Sequence, residues 1–249
     1  MSNLLKMSVV SLVLVWGLGC SQNVGTVESG GAGWISLFDG RTLEGWRPLD
    51  ANNNRWTVAG AVKVDPADNT RFVIEPGEGI LVNGTVGKTS NIISVFEHGD
   101  CEAHIEWCVP KGSNSGVYFQ GLYEIQVFDS FGKDVVEFSD AGGIYARWIN
   151  DQNVEGHAPR VNASRAPGEW QTFDVVFRAP RFNEKGEKIE NARFVRVVYN
   201  GQVVHENVSL NGPTRASLPN AEAPLGPIML QGDHGPVAYR NIRIRPLTN

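Results

Sequence analysis

The sequence predicts an all-β protein, a single-domain sandwich or jelly roll. Short runs of alternating apolar and polar residues recur along the chain with Gly, Asn and Pro between them, which is typical of many short strands. No long run has the 3.6-residue periodicity of an amphipathic helix. The length of 249 residues suits one such domain, because all-β sandwiches often reach this size undivided.

Residues 1–20 are expected to be a leader. Lys6 makes its start positive, residues 7–18 are apolar but too few to cross a bilayer, and Gly19 precedes Cys20. The pattern resembles a bacterial lipoprotein signal with Cys20 as the lipidation site, and ordinary secretion is the alternative. The expectation is a periplasmic or outer-membrane lipoprotein that meets the membrane only through its lipid. Residues 21–33 form a small, polar tether before a domain at 34–249.

The net charge argues against one class of partner, and the cysteine spacing excludes a disulfide and argues against a cysteine metal site. The formal net charge is −5 with no basic patch, which argues against a nucleic-acid partner. Cys101 and Cys108 lie in one predicted strand, where seven residues separate them by roughly 23 Å on opposite faces. This spacing excludes a disulfide between them and does not fit a metal pair.

The predicted strands cover most of the mature chain. They are 34–38, 55–64, 71–74, 79–82, 91–97, 100–109, 115–120, 122–129, 143–147, 170–179, 192–199, 202–208, 226–231 and 237–246. Asn200–Gly201 is a two-residue hairpin turn whose geometry matches strand twist. Four tryptophans are expected in the core, because large strand aromatics usually pack there: Trp34, Trp56, Trp107 and Trp170.

The stretch GSNSGVYFQGLYEIQVFDSFG (112–132) contains two strands with distinct faces. In the second, apolar residues at 123, 125 and 127 alternate with Glu124, Gln126 and Phe128. In the first, Tyr118 and Gln120 are expected on that same polar outer face. Carboxylates, amides and aromatic rings together suit a sugar. A solvated face of an open sheet is the alternative. The strand at 100–109 carries Glu102, His104 and Glu106 at alternate positions, with Glu102 expected to be a solvated charge and His104 expected to be non-catalytic.

Five segments carry a family resemblance. They are GWISLFDGRTLEGW (33–46), IEWCVPKGSNSGVYFQGLYEIQVFDS (105–130), AGGIY (141–145), PGEWQTFDVVFRAPRF (167–182) and PLGPIMLQGDHGPVAYRNIRIRPL (224–247). In this order they resemble the 3-keto-disaccharide hydrolase family, also described as a 3-keto-glucoside 1,2-lyase/3-keto-2-hydroxy-glucal hydratase domain. The resemblance implies a concanavalin A-like β-sandwich. It also implies cleavage of glycosides that a separate sugar 3-dehydrogenase has oxidised at C3.

The implied chemistry sets the requirements for the site. A C3 ketone acidifies the C2 proton, so a base can form an enolate, the C1 substituent leaves by elimination, and water then adds. The enzyme must supply a base, stabilisation of the enolate oxygen and an acid for the leaving group. A divalent metal cation is a possible cofactor, and no Gly-rich phosphate loop points to a nucleotide.

Proton transfer is assigned to three residues. His234 in GDHG is the first choice for the base, because imidazole titrates near neutral pH and this loop is glycine-flanked. Asp233 is expected to orient His234 or to form the turn. Glu124 is expected to be a second proton carrier or a metal ligand. Glu106 and His234 are the other metal-ligand candidates, with Glu106 joining Glu124 if their strands are adjacent.

Substrate binding is assigned to the surrounding polar and aromatic residues. The candidates are Gln126, Glu106, Asn114, Tyr118, Gln120, Tyr145 and Arg147. Gln126 is expected to bind sugar hydroxyls and Tyr118 to stack on a ring, whereas Asn114 has an equal alternative as a turn residue. Tyr145 and Arg147 alternate onto one face and are expected near the substrate oxygen, with Arg147 as a surface charge being the alternative.

Two rival functions use the same fold. Retaining β-glucanases carry E-x-D-x-x-E on one strand, and here Gln126 replaces the middle acid and Asp129 the last. Without a bulge, Asp129 faces away from Glu124, although a retaining mechanism needs two carboxyls about 5–5.5 Å apart. The second rival is a non-catalytic carbohydrate-binding module, which needs aromatics and amides but no base.

Overall fold

The computed structural model describes residues 33–248. The leader, Cys20 and the tether up to residue 32 lie outside the described residues, so their assignments stay predictions. No helix within residues 33–248 is long and apolar enough to cross a membrane.

Two antiparallel sheets confirm the predicted all-β sandwich of concanavalin type. The eight-stranded sheet has the order β15-β14-β11-β6-β17-β4-β3, with β1 also paired to β17, and the five-stranded sheet has the order β2-β5-β16-β7-β8. The strands are β1 Ile35–Ser36, β2 Trp46–Pro48, β3 Thr57–Val64, β4 Phe72–Val82, β5 Ile92–His98, β6 Cys101–Cys108, β7 Asn114–Phe119, β8 Tyr123–Phe128, β9 Arg147–Ile149, β10 Gln152–Val154, β11 Gln171–Arg178, β12 Arg181–Phe182, β13 Lys188–Glu190, β14 Ala192–Tyr199, β15 Gln202–Leu210, β16 Gly226–Leu230 and β17 Ala238–Pro246. A 3₁₀ turn spans Ala51–Asn53.

The main core lies between the two sheets. It is rich in aromatic rings that alternate inward along the strands, including Trp107, Phe119, Phe173 and Tyr199, all fully buried. Ring centroids 5.1–5.8 Å apart link Trp107, Phe173 and Tyr199, a spacing that favours tilted and offset contacts. This rigid interior fixes which face of β7 and β8 looks outward.

The Asn200–Gly201 hairpin between β14 and β15 is confirmed. Both residues have positive φ, 48° and 82°, which is the geometry of a type I′ turn. The Asn200 side chain also accepts a hydrogen bond from the Thr172 amide at 2.9 Å. The turn therefore joins its own hairpin to the neighbouring strand β11.

Two of the four tryptophans expected in the core lie elsewhere. Trp56 and Trp107 are buried, as predicted. Trp34 lies beneath Arg243 and Arg245. Trp170 lies 4.1 Å from the Arg240 guanidinium carbon and packs on a second small apolar cluster. The prediction was wrong for these two because an arginine stem shields an aromatic face as effectively as a second sheet does.

Several strand boundaries differ from the prediction. Residues 71–74 and 79–82 belong to one strand, β4. Pro76 and Gly77 lie next to Gly60, where the register of the β3–β4 pairing shifts, so the strand continues through them. Residues 143–146 are not a strand, and Ile144 makes isolated bridges there, whereas Arg147 begins β9. Cys101 and Cys108 are free and buried, in agreement with their spacing.

Candidate functional site

The outer face of β7 and β8 carries the polar residues that the alternation predicts. Gly116 pairs with Gln126, and Tyr118 pairs with Glu124. The intervening Ser115 points inward, since its hydroxyl lies 2.8 Å from the Tyr239 hydroxyl of the opposite sheet. The Glu124 and Gln126 side chains are therefore directed away from the core between the sheets.

This outer face is covered rather than open to solvent. Glu124 and Gln126 are only 3% and 2% exposed, and the segment 142–145 runs along the free edge of β8 beside them. The backbone N–H of Gln126 donates to the Gly143 carbonyl at 2.8 Å, and the backbone N–H of Tyr145 donates to the backbone carbonyl of Glu124 at 3.2 Å. The face is thus a lined, largely dehydrated site and not a flat solvated sheet.

Glu124 is a buried carboxyl without a cationic partner. No ion pair within residues 33–248 includes it. Burial raises the pKa of Glu124 to about 8; the negative charge of Asp233 adds to this rise, and a hydrogen bond from Tyr118 opposes it. At neutral pH the group is therefore largely protonated and can donate a proton or a hydrogen bond.

The Tyr118 hydroxyl lies between two acceptors. It donates to the Arg215 carbonyl at 3.3 Å, and it also hydrogen-bonds the Glu124 carboxyl, whose charge is a cause of the raised pKa of Tyr118 after burial. A hydroxyl has one proton, so these two donations alternate. Ionisation of Glu124 favours donation to its carboxylate, because a charged acceptor binds a hydroxyl proton more strongly than a carbonyl does.

Asp233 and His234 form a hydrogen-bonded pair at the same end of the site. His234 Nδ1 lies 2.6 Å from Asp233 Oδ1. This hydrogen bond raises the pKa of His234 and lowers that of Asp233. The Asp233 charge also raises the pKa of both Glu124 and Tyr118, so the pair lies within electrostatic reach of the buried carboxyl. Tyr118, Glu124, Tyr145, Asp233 and His234 are named the Glu124 cluster.

A buried amide holds the loop that carries this pair. Asn83 Nδ2 donates to the carbonyls of Gly232 and Gly235 at 3.1 and 2.8 Å, and Asn83 Oδ1 accepts from the Val237 amide at 2.8 Å. The side chain therefore satisfies three backbone groups on both sides of His234. Asn83 was not predicted as a functional residue, because its only local sequence signal, Asn-Gly, is that of an ordinary turn.

Two buried amide oxygens at the site have no hydrogen-bond donor among the described residues. They are Asn114 Oδ1 and Gln126 Oε1, on neighbouring strands of the same face. The Gln126 amide nitrogen is fixed by the Ser139 carbonyl at 3.0 Å, which determines the direction of its oxygen. Leaving a buried acceptor unsatisfied costs about 1–3 kcal/mol, so both oxygens are suited to accept from ligand hydroxyls.

Glu106 does not belong to this site. It lies on β6 in the eight-stranded sheet, whereas Glu124 lies on β8 in the five-stranded sheet. Its carboxylate accepts from Arg240 at 2.6 Å and from Asn241. The two strands are not adjacent, so Glu106 does not join Glu124, and Glu102 and His104 lie on the outer face of the same strand as Glu106. Alternation assigns a residue to a face of its strand, but it does not say which sheet holds the strand.

Gln120 and Arg147 occupy structural positions at the margin. Gln120 has φ 54° in the β7–β8 turn and donates to the carbonyls of His98 and Pro224 at 3.3 and 3.1 Å. Arg147 pairs with Glu155 at 2.9 Å, beside a cavity of about 10 Å³. Tyr145 lines the same cavity, and it also lies close enough to Tyr118 to affect the pKa of Tyr118.

The three candidate metal ligands are not assembled. Glu106 is in the other sheet, and residues 33–248 contain no group of three His, Cys, Asp or Glu side chains suited to a metal ion. The donor set therefore does not fit a divalent cation, and no step below passes through one.

A groove of about 620 Å³ lies on the outer face of the eight-stranded sheet. Its most buried acid, Asp100, pairs with Arg181 and Arg178. Burial disfavours the carboxylate, but hydrogen bonds from Arg181 and Ala179 outweigh this and lower the pKa of Asp100. None of the residues that line this groove belongs to the Glu124 cluster.

Comparison with known sequences identifies the domain. The 3-keto-alpha-glucoside-1,2-lyase-like domain matches residues 33–245. A 3-keto-disaccharide hydrolase of Bacteroides thetaiotaomicron is 27% identical over 177 residues, which are 70% of this chain and 55% of that protein. The chain thus spans about half the length of this curated relative.

Solved structures agree with this match. A candidate glycosyl hydrolase from Parabacteroides distasonis is 30% identical, with a TM-score of 0.61 over 87% of this chain and 84% of that one. A second from the same organism, 15% identical with a TM-score of 0.56 over 87% and 95% of the two chains, supports the fold alone. The chain belongs to the 3-keto-alpha-glucoside-1,2-lyase-like domain family.

Proposed function

We propose that this protein cleaves 3-keto-glycosides by removing the C2 proton, eliminating the C1 substituent and hydrating the product. The observation that carries the proposal is the buried, cation-free carboxyl of Glu124, with its pKa raised to about 8, beside the Asp233–His234 pair. This elimination requires one group that donates a proton and another that accepts one. Membership in the family supports a carbohydrate-acting enzyme of this type.

His234 is assigned as the base that removes the C2 proton. Its ring is half-exposed, with 51% of the side chain accessible, so the nitrogen opposite Asp233 can reach a ligand. Asp233 holds Nδ1 at 2.6 Å and stabilises the imidazolium that forms on proton transfer. An acid in this position fixes the tautomer that leaves Nε2 unprotonated and basic.

Glu124 is assigned as the acid that protonates the departing C1 oxygen. Because burial keeps it largely protonated near pH 7, it can give up a proton without a prior step. After transfer, the carboxylate accepts from Tyr118, which lowers the cost of the buried charge. Asn114 and Gln126 are assigned to the sugar hydroxyls through their unpartnered oxygens.

The protons balance over the full cycle. Elimination leaves protonated His234, ionised Glu124, the released alcohol or sugar, and an unsaturated 3-keto sugar. In hydration, Glu124 takes a proton from water as its oxygen bonds to C1, and His234 returns a proton to C2. Both residues regain their starting states, and the sum of the two half-reactions is hydrolysis.

The biological setting is part of the proposal. We expect a separate sugar 3-dehydrogenase to supply the ketone, since the proposed chemistry begins from a sugar already oxidised at C3. The leader predicted at residues 1–20 would place the reaction in the periplasm or at the outer membrane, on a lipid anchor at Cys20.

Ordinary retaining hydrolysis is a weaker alternative. Asp129, the second acid of the glucanase-like spacing, accepts from the amides of Gly112 and Phe131 at 2.9 and 3.3 Å. These bonds give Asp129 a turn-forming role after β8. A non-catalytic sugar-binding module would not need a raised carboxyl pKa beside a histidine.

The test compares 3-keto-trehalose with trehalose, using wild type, His234→Ala and Glu124→Gln. The proposal expects cleavage of the keto sugar alone and a loss of about 10²–10⁴-fold in kcat for each variant. His104→Ala is the matched control, because His104 Nδ1 also lies 2.6 Å from an aspartate, Asp174, on the other sheet. Cleavage of trehalose itself, or equal losses in His104→Ala, would overturn the assignment.

A further inference from the structure

We propose that Trp148 and Arg215 form the binding site for the leaving group, so that glycosides whose C1 substituent is a second ring are preferred. This inference rests on the proposed function and deepens it by naming a substrate class. Neither side chain takes part in the proposed proton transfers.

Trp148 presents an aromatic surface at the margin of the site. It lies in the β9–β10 hairpin, which begins two residues after Tyr145 of the Glu124 cluster. The side chain is 45% exposed, and the Arg215 guanidinium carbon lies 3.9 Å from the ring centroid. An exposed indole held in place by a cation on one side is a preorganised stacking surface.

Arg215 links this surface to the reacting groups. Its carbonyl accepts from the Tyr118 hydroxyl at 3.3 Å, and its amide donates to the Ala146 carbonyl at 2.8 Å. The preceding residue, Thr214, accepts from the Glu124 amide through its hydroxyl at 3.1 Å. The backbone at 214–215 therefore lies against the proposed acid, and Trp148 lies one arginine side chain farther out.

The position of Trp148, one arginine side chain away from the backbone beside Glu124, suits a substituent on the oxygen that Glu124 protonates. A sugar ring whose C1 oxygen meets Glu124 has its next ring displaced outward, toward the indole. Arg215 makes no ion pair with a carboxylate within residues 33–248, and its one side-chain hydrogen bond, to Asn153, is 3.5 Å long. Its remaining N–H groups are suited to donate to hydroxyls of that second ring.

The experiment measures kcat/KM on two probes, 3-keto-trehalose and methyl 3-keto-α-glucoside, in wild type and Trp148→Ala. We expect Trp148→Ala to lose about tenfold on the disaccharide, equivalent to one stacking contact, with less than about a twofold change on the methyl glycoside. Trp34→Ala is the matched control, because it removes an arginine-capped indole on the opposite sheet. It is expected to change neither value.

The outcomes separate the two proposals. If wild type cleaves neither keto probe, the proposed function fails. If wild type cleaves both and Trp148→Ala reduces both equally, or reduces neither, the proposed function stands and the leaving-group site is wrong. Arg215→Met, which keeps the stem over the indole and removes the N–H donors, is expected to show a smaller loss confined to the disaccharide.

Discussion

The Glu124 carboxylate lies directly over Gly116 on the neighbouring strand. A Cβ atom at position 116 would be 2.2 Å from Glu124 Oε1 and 2.9 Å from Tyr118 Cε2. The backbone of Gly116 has no positive φ, so its conformation does not require glycine. The missing side chain is instead what makes room for the buried carboxyl.

Gly116→Ala is therefore expected to displace Glu124. A shift of about 1 Å in a reacting group costs on the order of 100-fold in rate, and crowding a packed position costs about 1–3 kcal/mol of stability. Steady-state kinetics on a 3-keto-glycoside and thermal unfolding of the same sample measure both effects. A folded variant with unchanged kcat would show that the position of Glu124 over Gly116 is not used in catalysis.

Asp233→Asn is expected to move both limbs of the pH profile of kcat/KM to lower pH. The rate should rise as His234 loses its proton and fall as Glu124 loses its own. The hydrogen bond that His234 donates to Asp233 raises the pKa of His234, and the charge of Asp233 adds to the raised pKa of Glu124. Removing the charge lowers both pKa values. A shift of one limb alone would mean that Asp233 is not coupled to both groups.

Glu124→Gln is expected to stabilise the protein increasingly as pH rises from about 4.5 to about 8. The folded pKa of Glu124, about 8, lies above its ordinary value of 4.5, so its favourable contribution is complete below 4.5 and is lost through this window. The full difference is on the order of 5 kcal/mol. Urea unfolding at several pH values measures it. A difference between variant and wild type that does not change with pH would contradict the raised pKa.

Two buried histidines also make the stability of the protein depend on pH, in the direction opposite to Glu124, and their contribution cancels when Glu124→Gln is compared with wild type. Burial lowers the pKa of His98 and of His205 to about 4, so both stabilise the protein above their ordinary pKa of 6.5 and lose this as pH falls toward 4. Because wild type and Glu124→Gln share both histidines, their contribution cancels in the difference.

Asn83→Ala is expected to loosen the loop that carries His234. Three buried backbone groups lose their partner, at about 1–3 kcal/mol each, and His234 loses its fixed position. Unfolding should show a stability loss of several kcal/mol, and kcat should fall more than KM rises. Asn200→Ala, which removes a side chain that bonds Thr172 and Ala163 far along the chain, is the control. It is expected to lose stability without a specific loss of kcat.

The local pattern predicted the face of each strand but not the arrangement of the strands. Alternation placed Tyr118, Glu124 and Gln126 on the outer face of their hairpin, because side-chain direction depends only on period two. Glu106 obeys the same rule on β6, yet it faces outward from the other sheet. Sheet membership arises from contacts distant in sequence, such as β16 between β5 and β7.

The local sequence pattern also does not predict that the site is buried. The alternation at 123–128 predicts one buried and one outer strand face, and the segment 142–145 that pairs with this strand has no strand of its own. Its backbone hydrogen bonds to Gln126 and Glu124 pair the edge of β8, where both side chains are buried. The hydrogen bonds of Asn83 to the His234 loop cannot be predicted from local sequence either, because they join residues about 150 positions apart.

The most direct test of the central claim, proton removal from C2, is turnover of a 3-keto-glucoside that carries deuterium at C2. The account predicts slower cleavage than with hydrogen at C2, together with loss of deuterium to the solvent, and neither exchange nor cleavage in His234→Ala. Equal rates for the two substrates with deuterium retained in the product would contradict it.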